Sequence, residues 1–135
     1  AVEDALETVL GRLSLPESVE IRRAASGQVR ADPKLFRRVL RNLIGNAARY
    51  ARSRVIVETR ADRGGVVVEV RDDGPGIPSA LRDRALVPFE TLDERGGHGL
   101  GLAIVGEIVR RHGGSVVLDE GSEGGLCVRT VWPAG

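Results

Sequence analysis

Apolar residues recur at the three-to-four-residue spacing of an amphipathic helix in several parts of the chain. The segments predicted to be helices are 2–10, 33–51, 79–86 and 100–111. The second has a strong start, because Asp32 stands at the capping position and Pro33 at the first helical position. Gly11 ends the first helix, Gly113 follows the last, and a loop is predicted over 88–97.

Short runs rich in β-branched residues predict strands between these helices. The predicted strands are 19–21, 28–30, 54–60, 66–72, 115–118 and 126–132. A turn at 62–65 joins two of them into a hairpin. Strand pairs separated by helices predict an α+β fold with one layer of helices on one sheet. A length of 135 residues fits one domain, 1–135.

The strand predicted over 66–72 has alternating faces, and this alternation singles out Asp72. Its even positions are apolar until Asp72, so that carboxylate points to the covered side of the sheet. The odd positions are predicted to face water from residue 69 on: Glu69, Arg71 and Asp73. A covered carboxylate needs a partner, and the exocyclic amine of adenine would be one. Capping of the turn at Gly74 is the alternative, and both interpretations stay open.

The glycine cluster at 96–101 leads directly into the last predicted helix. Backbone N–H groups at such a helix start suit an anion such as phosphate. The cluster lacks the lysine of a Walker A loop and does not follow a strand, so it is not a dinucleotide fingerprint. A flexible loop without a ligand is the alternative.

A polar stripe runs along the predicted helix 33–51 and consists of Asn42, Asn46 and Arg49 or Tyr50. Asn46 lies among apolar neighbours, where an amide oxygen could ligate Mg²⁺. A polar helix edge is the alternative interpretation.

The composition limits the classes of function that the chain could have. Charged residues make up 29% of the chain, but the net charge of +1 gives no broad basic field, so nucleic acid is not indicated. The single cysteine, Cys127, excludes an internal disulfide and is predicted to be a small buried residue. No segment has the length of a membrane span. Because Ala1 opens the chain within a helix and no Met precedes it, we expect a piece of a longer protein.

Four segments, 42–50, 72–77, 88–89 and 97–105, occur in one order. Together they resemble the N, G1, F and G2 boxes of the catalytic ATP-binding domain of sensor histidine kinases, in the superfamily of gyrase, Hsp90 and MutL. The resemblance extends from about residue 1 to Pro133. It implies a two-layer α/β sandwich, with a mixed five-stranded sheet under three helices and an ATP lid.

The resemblance also implies roles for individual residues. Asn46 would ligate Mg²⁺, with Asn42 beside the metal or the phosphates. Arg49 would contact phosphate, Tyr50 would lie over the nucleotide, and Asp72 would recognise adenine. The remaining implied nucleotide contacts are Gly74, Gly76, Ile77, Phe89, Gly97, His98, Gly99, Leu100 and Gly101.

The chain departs from the family pattern around the lid. Leu86 stands where the first aromatic of the F box is usual, and Phe89 alone remains. The basic residue expected after Phe89 is missing, which leaves Arg95 as the lid cation and a catalytic candidate. Leu126 stands where a Thr is usual. These departures affect the expected lid contacts and leave the adenine site intact.

Position 42 separates kinase from ATPase. The gyrase, Hsp90 and MutL relatives carry a Glu there as general base for water, whereas Asn42 cannot take a proton. Transfer of the γ-phosphoryl group of ATP to a histidine is therefore the implied reaction. Neither His98, in the loop, nor His112, at a helix end, lies in a phosphoacceptor pattern. The acceptor is expected in a dimerisation domain that precedes this one.

The resemblance implies ATP and Mg²⁺ as cofactors, and that dimerisation domain and a response regulator as partners. The isolated domain is expected to be a monomer of a homodimeric parent. It is expected to be the cytoplasmic part of a parent anchored in the bacterial inner membrane. Two other classes stay open: a self-contained ATPase or chaperone-like module, and a degenerate regulatory domain, which the eroded F box suggests.

Overall fold

The computed structural model describes residues 2–13, 15, 18–62, 64–77, 80, 101–121 and 124–134. Its helices are α1 (Val2–Arg12), α2 (Pro33–Tyr50) and α3 (Gly101–Arg111). Its strands are β1 (Glu20–Ala24), β2 (Arg54–Asp62), β3 (Gly65–Asp72), β4 (Ser115–Glu120) and β5 (Leu126–Pro133). The strands form one sheet in the order β1-β2-β3-β5-β4, parallel between β1 and β2 and antiparallel elsewhere. The predicted mixed five-stranded sheet with three helices is confirmed.

The helix α2 is the centre of the helical layer, because it contacts both α1 and α3. Asp32 caps it as predicted, since its Oδ1 accepts from the backbone N–H of Lys34 at 2.8 Å and of Leu35 at 3.2 Å. The apolar stripe of α2 faces the sheet, where Phe36 meets Trp132 edge to face with ring centroids 4.8 Å apart.

The orientation of α3 is fixed by His112, which follows its last turn. Nδ1 of His112 donates to the Ile108 carbonyl at 2.8 Å, and Nε2 accepts from the Asp32 N–H at 3.2 Å. This pattern requires the imidazole tautomer with its proton on Nδ1. The end of α3 therefore lies at the beginning of α2, and the two packed helices run in opposite directions.

The strand predicted at 28–30 is wrong. Val29 forms an isolated bridge with Ala134, and the N–H of Arg30 donates to the Pro133 carbonyl at 2.8 Å. A longer strand has no room here, because Gly27 turns the chain with φ of 91° and the α2 cap follows at once. The helix predicted over 79–86, apart from residue 80, and the loop over 88–97 lie outside the described residues.

The prediction that Glu69 faces water is also wrong. The residue lies on the predicted sheet face, away from the helices, but its side chain is only 8% exposed. Arginines from three strands cover it: Arg60 at 2.6 Å, Arg71 at 2.9 Å and Arg129 at 3.0 Å. Burial alone would raise the pKa of Glu69, but the hydrogen bonds from these arginines bring the pKa down to about 2.

Neighbours of Glu69 on the same face are covered too. Arg71 is 13% exposed and also pairs with Glu58 at 2.7 Å, so it does not face water as predicted. Cys127 is buried as predicted, and burial raises the pKa of its thiol to about 11. Among the described helices, none is both long and apolar enough to cross a membrane.

Candidate functional site

Asp72 ends β3 with its side chain on the helix-covered face of the sheet, as the alternation predicts, and is 4% exposed. Its Oδ1 accepts from the Gly74 N–H at 2.8 Å and lies 3.5 Å from the Leu126 N–H. The turn-capping interpretation is thus confirmed for one oxygen. The other oxygen, Oδ2, accepts no hydrogen bond within the described part of the chain, so it is available to an external donor.

The electrostatics of Asp72 differ from those of an exposed carboxylate. Burial raises its pKa, the two backbone hydrogen bonds lower it, and the neighbouring Asp73 charge raises it. The net shift is upward. The carboxylate is therefore held in a poorly solvated place, where it gains most from accepting a hydrogen bond from an uncharged donor such as an amine.

Asp73 points the other way and binds the loop that follows α2. Its Oδ1 accepts from the backbone N–H of Arg52 at 2.8 Å, Ser53 at 3.0 Å and Arg54 at 3.2 Å, and its Oδ2 accepts from Ser53 Oγ at 2.6 Å. Burial alone would raise the pKa of Asp73, but these hydrogen bonds bring it well below its ordinary value. As predicted, Asp73 lies on the side opposite Asp72, where it is half-buried; its hydrogen bonds to the loop after α2 also join two elements of the site.

Two glycines allow the backbone to close around Asp72. A Cβ on Gly74 would lie 2.2 Å from the Tyr50 carbonyl oxygen, so only glycine lets the turn after β3 contact the last turn of α2. A Cβ on Gly125 would lie 2.4 Å from Asp72 Oδ1 and 2.2 Å from the Asp72 carbonyl oxygen. Gly76 has φ of 73°, a conformation that favours glycine.

The predicted site residues did not include Gly125 or Leu126. The sequence also did not predict that Asp73 binds the loop after α2. The glycines at 121–125 were visible in the sequence as a turn before the last strand. Their place beside Asp72 depends on the pairing of β3 with β5, in which Arg71 lies opposite Cys127. That register is not readable from one strand alone.

The predicted metal-side residues lie on the second half of α2. Asn42, Asn46 and Tyr50 are half-buried, and Arg49 is exposed in the last turn. The Asn42 Nδ2 atom is buried and has no hydrogen-bond partner among the residues that the structure describes. A buried amide donor without a partner costs stability, and an oxygen of a phosphate or of a metal-bound water would satisfy it. Amide oxygens one helical turn apart also suit Mg²⁺, so these residues fit that ion.

The N-terminus of α3 lies near those amides. The two helices run in opposite directions from the contact between His112 and Asp32. At 1.5 Å per residue, the 11 residues of α3 reach back along α2 by about 15 Å, to about the level of Asn42. The N–H groups at the start of α3, where Gly101 stands, have no partner within the helix and point to the same end of the helical layer.

The structure therefore brings together Asp72, Gly74, Gly76 and the polar end of α2, with Ile77 half-buried against the core. The other predicted contacts are Phe89, Arg95, Gly97, His98, Gly99 and Leu100, and they lie outside the described residues.

Comparison with known proteins gives consistent similarities. Residues 31–135 match the family model described as histidine kinase-, DNA gyrase B- and HSP90-like ATPase. The sensor histidine kinase CpxA of Klebsiella pneumoniae subsp. pneumoniae (strain HS11286) is 38% identical over 106 residues, which cover 75% of this chain and 23% of CpxA. The sensor protein RstB of Escherichia coli (strain K12) is 38% identical over 123 residues, 87% of this chain and 28% of RstB.

Solved structures are similar over almost the whole chain. The mycobacterial sensor histidine kinase MprB is 30% identical with a TM-score of 0.82, covering 98% of this chain and 91% of that one. Full-length ShkA in complex with AMPPNP is 31% identical with a TM-score of 0.82, covering 98% of this chain and 30% of that one. The chain thus spans about a quarter of the length of CpxA and RstB, and nearly all of the MprB structure.

Proposed function

We propose that this chain, which belongs to the histidine kinase-, DNA gyrase B- and HSP90-like ATPase family, binds ATP with Mg²⁺ and transfers its γ-phosphoryl group to a histidine. The acceptor would lie in the dimerisation domain of a two-component sensor kinase, which then phosphorylates a response regulator. The observation that carries the proposal is the buried Asp72, whose Oδ1 is held by backbone N–H groups while Oδ2 accepts no hydrogen bond from a residue that the structure describes.

Recognition of adenine follows from this geometry. A carboxylate oxygen accepts a hydrogen bond from the exocyclic amine of adenine, whereas guanine places a carbonyl oxygen at that position and would leave both acceptors unpaired. Gly74 and Gly125 keep side-chain atoms away from Asp72. We therefore expect the site to favour ATP over GTP.

The phosphates and the metal would lie between α2 and the start of α3. Asn46 would ligate Mg²⁺, Asn42 would donate to a phosphate oxygen or a metal-bound water, and Arg49 would neutralise phosphate charge. Backbone N–H groups from Gly97 to Gly101 would hold the phosphates, with Arg95 beside the γ-phosphate. Bound Mg²⁺ would neutralise the charge that develops on the transferred group. The work of these residues is to bind and orient the nucleotide.

Transfer is favoured over hydrolysis because Asn42 has no basic atom with which to activate water. Relatives that are named as sensor kinases, together with the complex of ShkA with AMPPNP, support the same choice. We propose a monomeric catalytic domain of a homodimeric parent. ATP is available in the cytoplasm, so we place this domain on the cytoplasmic side of a parent anchored in the inner membrane.

Replacement of Asp72 by Asn tests the proposal. The Asn Oδ1 can keep the hydrogen bond from Gly74, so the turn survives, but Nδ2 turns a donor towards the amine. We expect ATP–Mg²⁺ affinity, measured by calorimetry, to fall at least about 100-fold, as expected when a buried polar pair is mismatched. Asp119→Asn, on the other face of the sheet, is the control. Equal affinities of the two variants would remove Asp72 from the adenine site.

A further inference from the structure

The helix α2 has an unusual distribution of charge that the nucleotide site does not use. Its 18 residues include five basic residues and no acidic one. In the chain as a whole basic and acidic residues nearly balance, with 20 and 19. The helix therefore carries a local excess of positive charge, although most of the basic residues lie elsewhere in the chain.

Four of these residues form one surface in the first half of α2, which we call the basic face: Lys34, Arg37, Arg38 and Arg41. At 3.6 residues per turn they project within an arc of about 100° and extend about 10 Å along the helix. Lys34, Arg38 and Arg41 are exposed, and Arg37 is half-buried. None of the four forms an ion pair with a residue that the structure describes.

The placement is unfavourable for the isolated helix. The N-terminal end of a helix carries partial positive charge, so cations in its first turns repel it. The Asp32 carboxylate caps the start of α2 and offsets part of this repulsion, but it forms no ion pair with the basic face in the described part of the chain. There, the ion pair of α1 runs from Glu7 to Arg23 at 3.8 Å, and Glu107 of α3 pairs with Arg111. Charges that oppose a local stability rule and have no ion-pair partner among the described residues point to an external anion.

We propose that the basic face of α2 docks an acidic helix of a protein partner. Carboxylates at three- and four-residue spacing on such a helix repeat at the same intervals as Lys34, Arg37, Arg38 and Arg41. A single helix is also narrow enough to lie along α2. The surface lies in the first half of α2 and ends at Arg41, next to Asn42, where the proposed nucleotide site begins.

On the α1 side of the basic face, the neighbouring charges argue against a broader polyanion. Packed helices lie about 8–10 Å apart, so a flat anionic membrane on the basic face would also meet α1. There it would meet the exposed carboxylates of Glu3, Asp4 and Glu7 and be repelled. A nucleic acid duplex would meet the same carboxylates and needs several phosphate contacts at once.

The test uses the 135-residue chain, labelled with ¹⁵N, and an Ala-based helical peptide with four Glu residues at positions i, i+3, i+4 and i+7. A peptide with the same composition but scrambled Glu positions is compared. We expect chemical-shift changes concentrated at residues 34–41, and binding at least about five times weaker for the scrambled peptide. Equal binding of the two peptides would show that the spacing of the Glu residues does not matter, and would overturn the proposal.

Two charge-matched triple variants locate the surface. Arg37, Arg38 and Arg41 are replaced by Gln in one, and Arg12, Arg22 and Arg23 by Gln in the control. Gln is a good helix former, and removal of cations near the start of α2 should leave the melting temperature of the first variant unchanged or higher. The control should fold because Arg12 at the end of α1 and Arg22 and Arg23 in β1 are exposed. We expect at least tenfold weaker peptide binding for the first variant. Equal loss in both would show non-specific charge attraction and overturn the proposal.

The same variants exclude other anions. Vesicles that contain phosphatidylglycerol and a short DNA duplex are titrated in parallel with the spaced-Glu peptide. We expect both to bind more weakly than the peptide at 0.15 M salt. If either binds more tightly and loses that affinity in the α2 variant, the partner is a lipid surface or a nucleic acid, and the acidic-helix proposal is wrong.

Discussion

Ser53 Oγ donates to Asp73 Oδ2 at 2.6 Å, which joins the loop after α2 to the turn after β3. The other oxygen of the same carboxylate holds the Arg52, Ser53 and Arg54 N–H groups. Asp73, which follows Asp72 in the sequence, thereby fixes the position of Asp72 relative to the polar end of α2. We infer that Asp73 is a positioning residue of the nucleotide site.

Replacement of Asp73 by Ala should separate positioning from stability. The loop would lose all the hydrogen bonds to this carboxylate, so we expect ATP–Mg²⁺ affinity to fall about tenfold, or about 1.4 kcal/mol. Calorimetry separates the two roles, since a purely structural loss lowers the fraction of binding-competent molecules and leaves the dissociation constant of the rest unchanged.

Asp73→Asn is the matched rescue variant for this experiment. Its Oδ1 can still accept from the backbone N–H groups and its Nδ2 can donate to Ser53 Oγ, so affinity should recover to within about threefold of the parent. An unchanged dissociation constant for Asp73→Ala, with reduced stoichiometry, would contradict the positioning role.

Gly125→Ala should damage the site without replacing any side chain that binds the ligand. The new Cβ would lie 2.4 Å from Asp72 Oδ1, so the carboxylate or the β5 backbone must move. We expect a loss of unfolding free energy of about 1–3 kcal/mol, the usual cost of overpacking, and weaker ATP binding. Urea unfolding followed by Trp132 fluorescence measures the first.

The control is Gly11→Ala, because a Cβ on Gly11 meets nothing within 4 Å. Gly11 lies in α1, where Ala is favoured over Gly by about 1 kcal/mol, so this variant should be as stable as the parent or more so. If Gly125→Ala is equally harmless, the close approach of β5 to Asp72 does not restrict the site.

Asn46→Ala should abolish phosphotransfer to an added dimerisation domain if Asn46 ligates Mg²⁺. The rate should fall at least about 100-fold, which corresponds to about 2.7 kcal/mol of transition-state stabilisation. ATP binding measured in EDTA should be unchanged, since the metal then makes no contribution. An unchanged transfer rate would remove Asn46 from the metal.

Glu69 should produce a measurable acid transition in stability. Its ordinary pKa of 4.5 falls to about 2 in the folded chain. The unfolded chain therefore binds more protons between these values. Glu69 therefore contributes about 3 kcal/mol to the free energy of unfolding above about pH 4.5, and this contribution is lost as the pH falls towards 2. Chemical unfolding at a series of pH values measures this acid limb.

Glu69→Gln should lack that part of the acid limb and be less stable by about 3 kcal/mol at pH 7, because three arginines lose their shared carboxylate. Glu107→Gln, which removes one half of an exposed ion pair on α3, should lose stability between pH 4.5 and 2 as the parent does. A parental pH profile in Glu69→Gln would contradict the assignment.

The sequence predicted those features that depend on neighbours along the chain. Asp32 and Pro33 fixed the start of α2, and the alternation in β3 placed Asp72 on the covered side. Alternation gives the side of a sheet but not what covers it, which explains the error at Glu69. Its partner Arg129 lies 60 residues away and is brought in by strand pairing.

The same limit applies to Asp73, whose partners precede it by about 20 residues. A carboxylate before a glycine predicts a turn, and nothing near it in the chain indicates the loop that it binds. The strand at 28–30 failed for a different reason, because Val29 between two polar residues satisfied the local pattern but forms only an isolated bridge with Ala134.

The burial of Cys127 has a practical consequence for distance measurements. It is the one cysteine of the chain, and its thiol is buried with a pKa of about 11, so it remains protonated and shielded from maleimides at neutral pH. A spin label or dye could therefore be attached to a cysteine introduced on the surface, with the native thiol left in place. Labels at both ends of α2 would then report nucleotide and partner occupancy separately in one otherwise unmodified background.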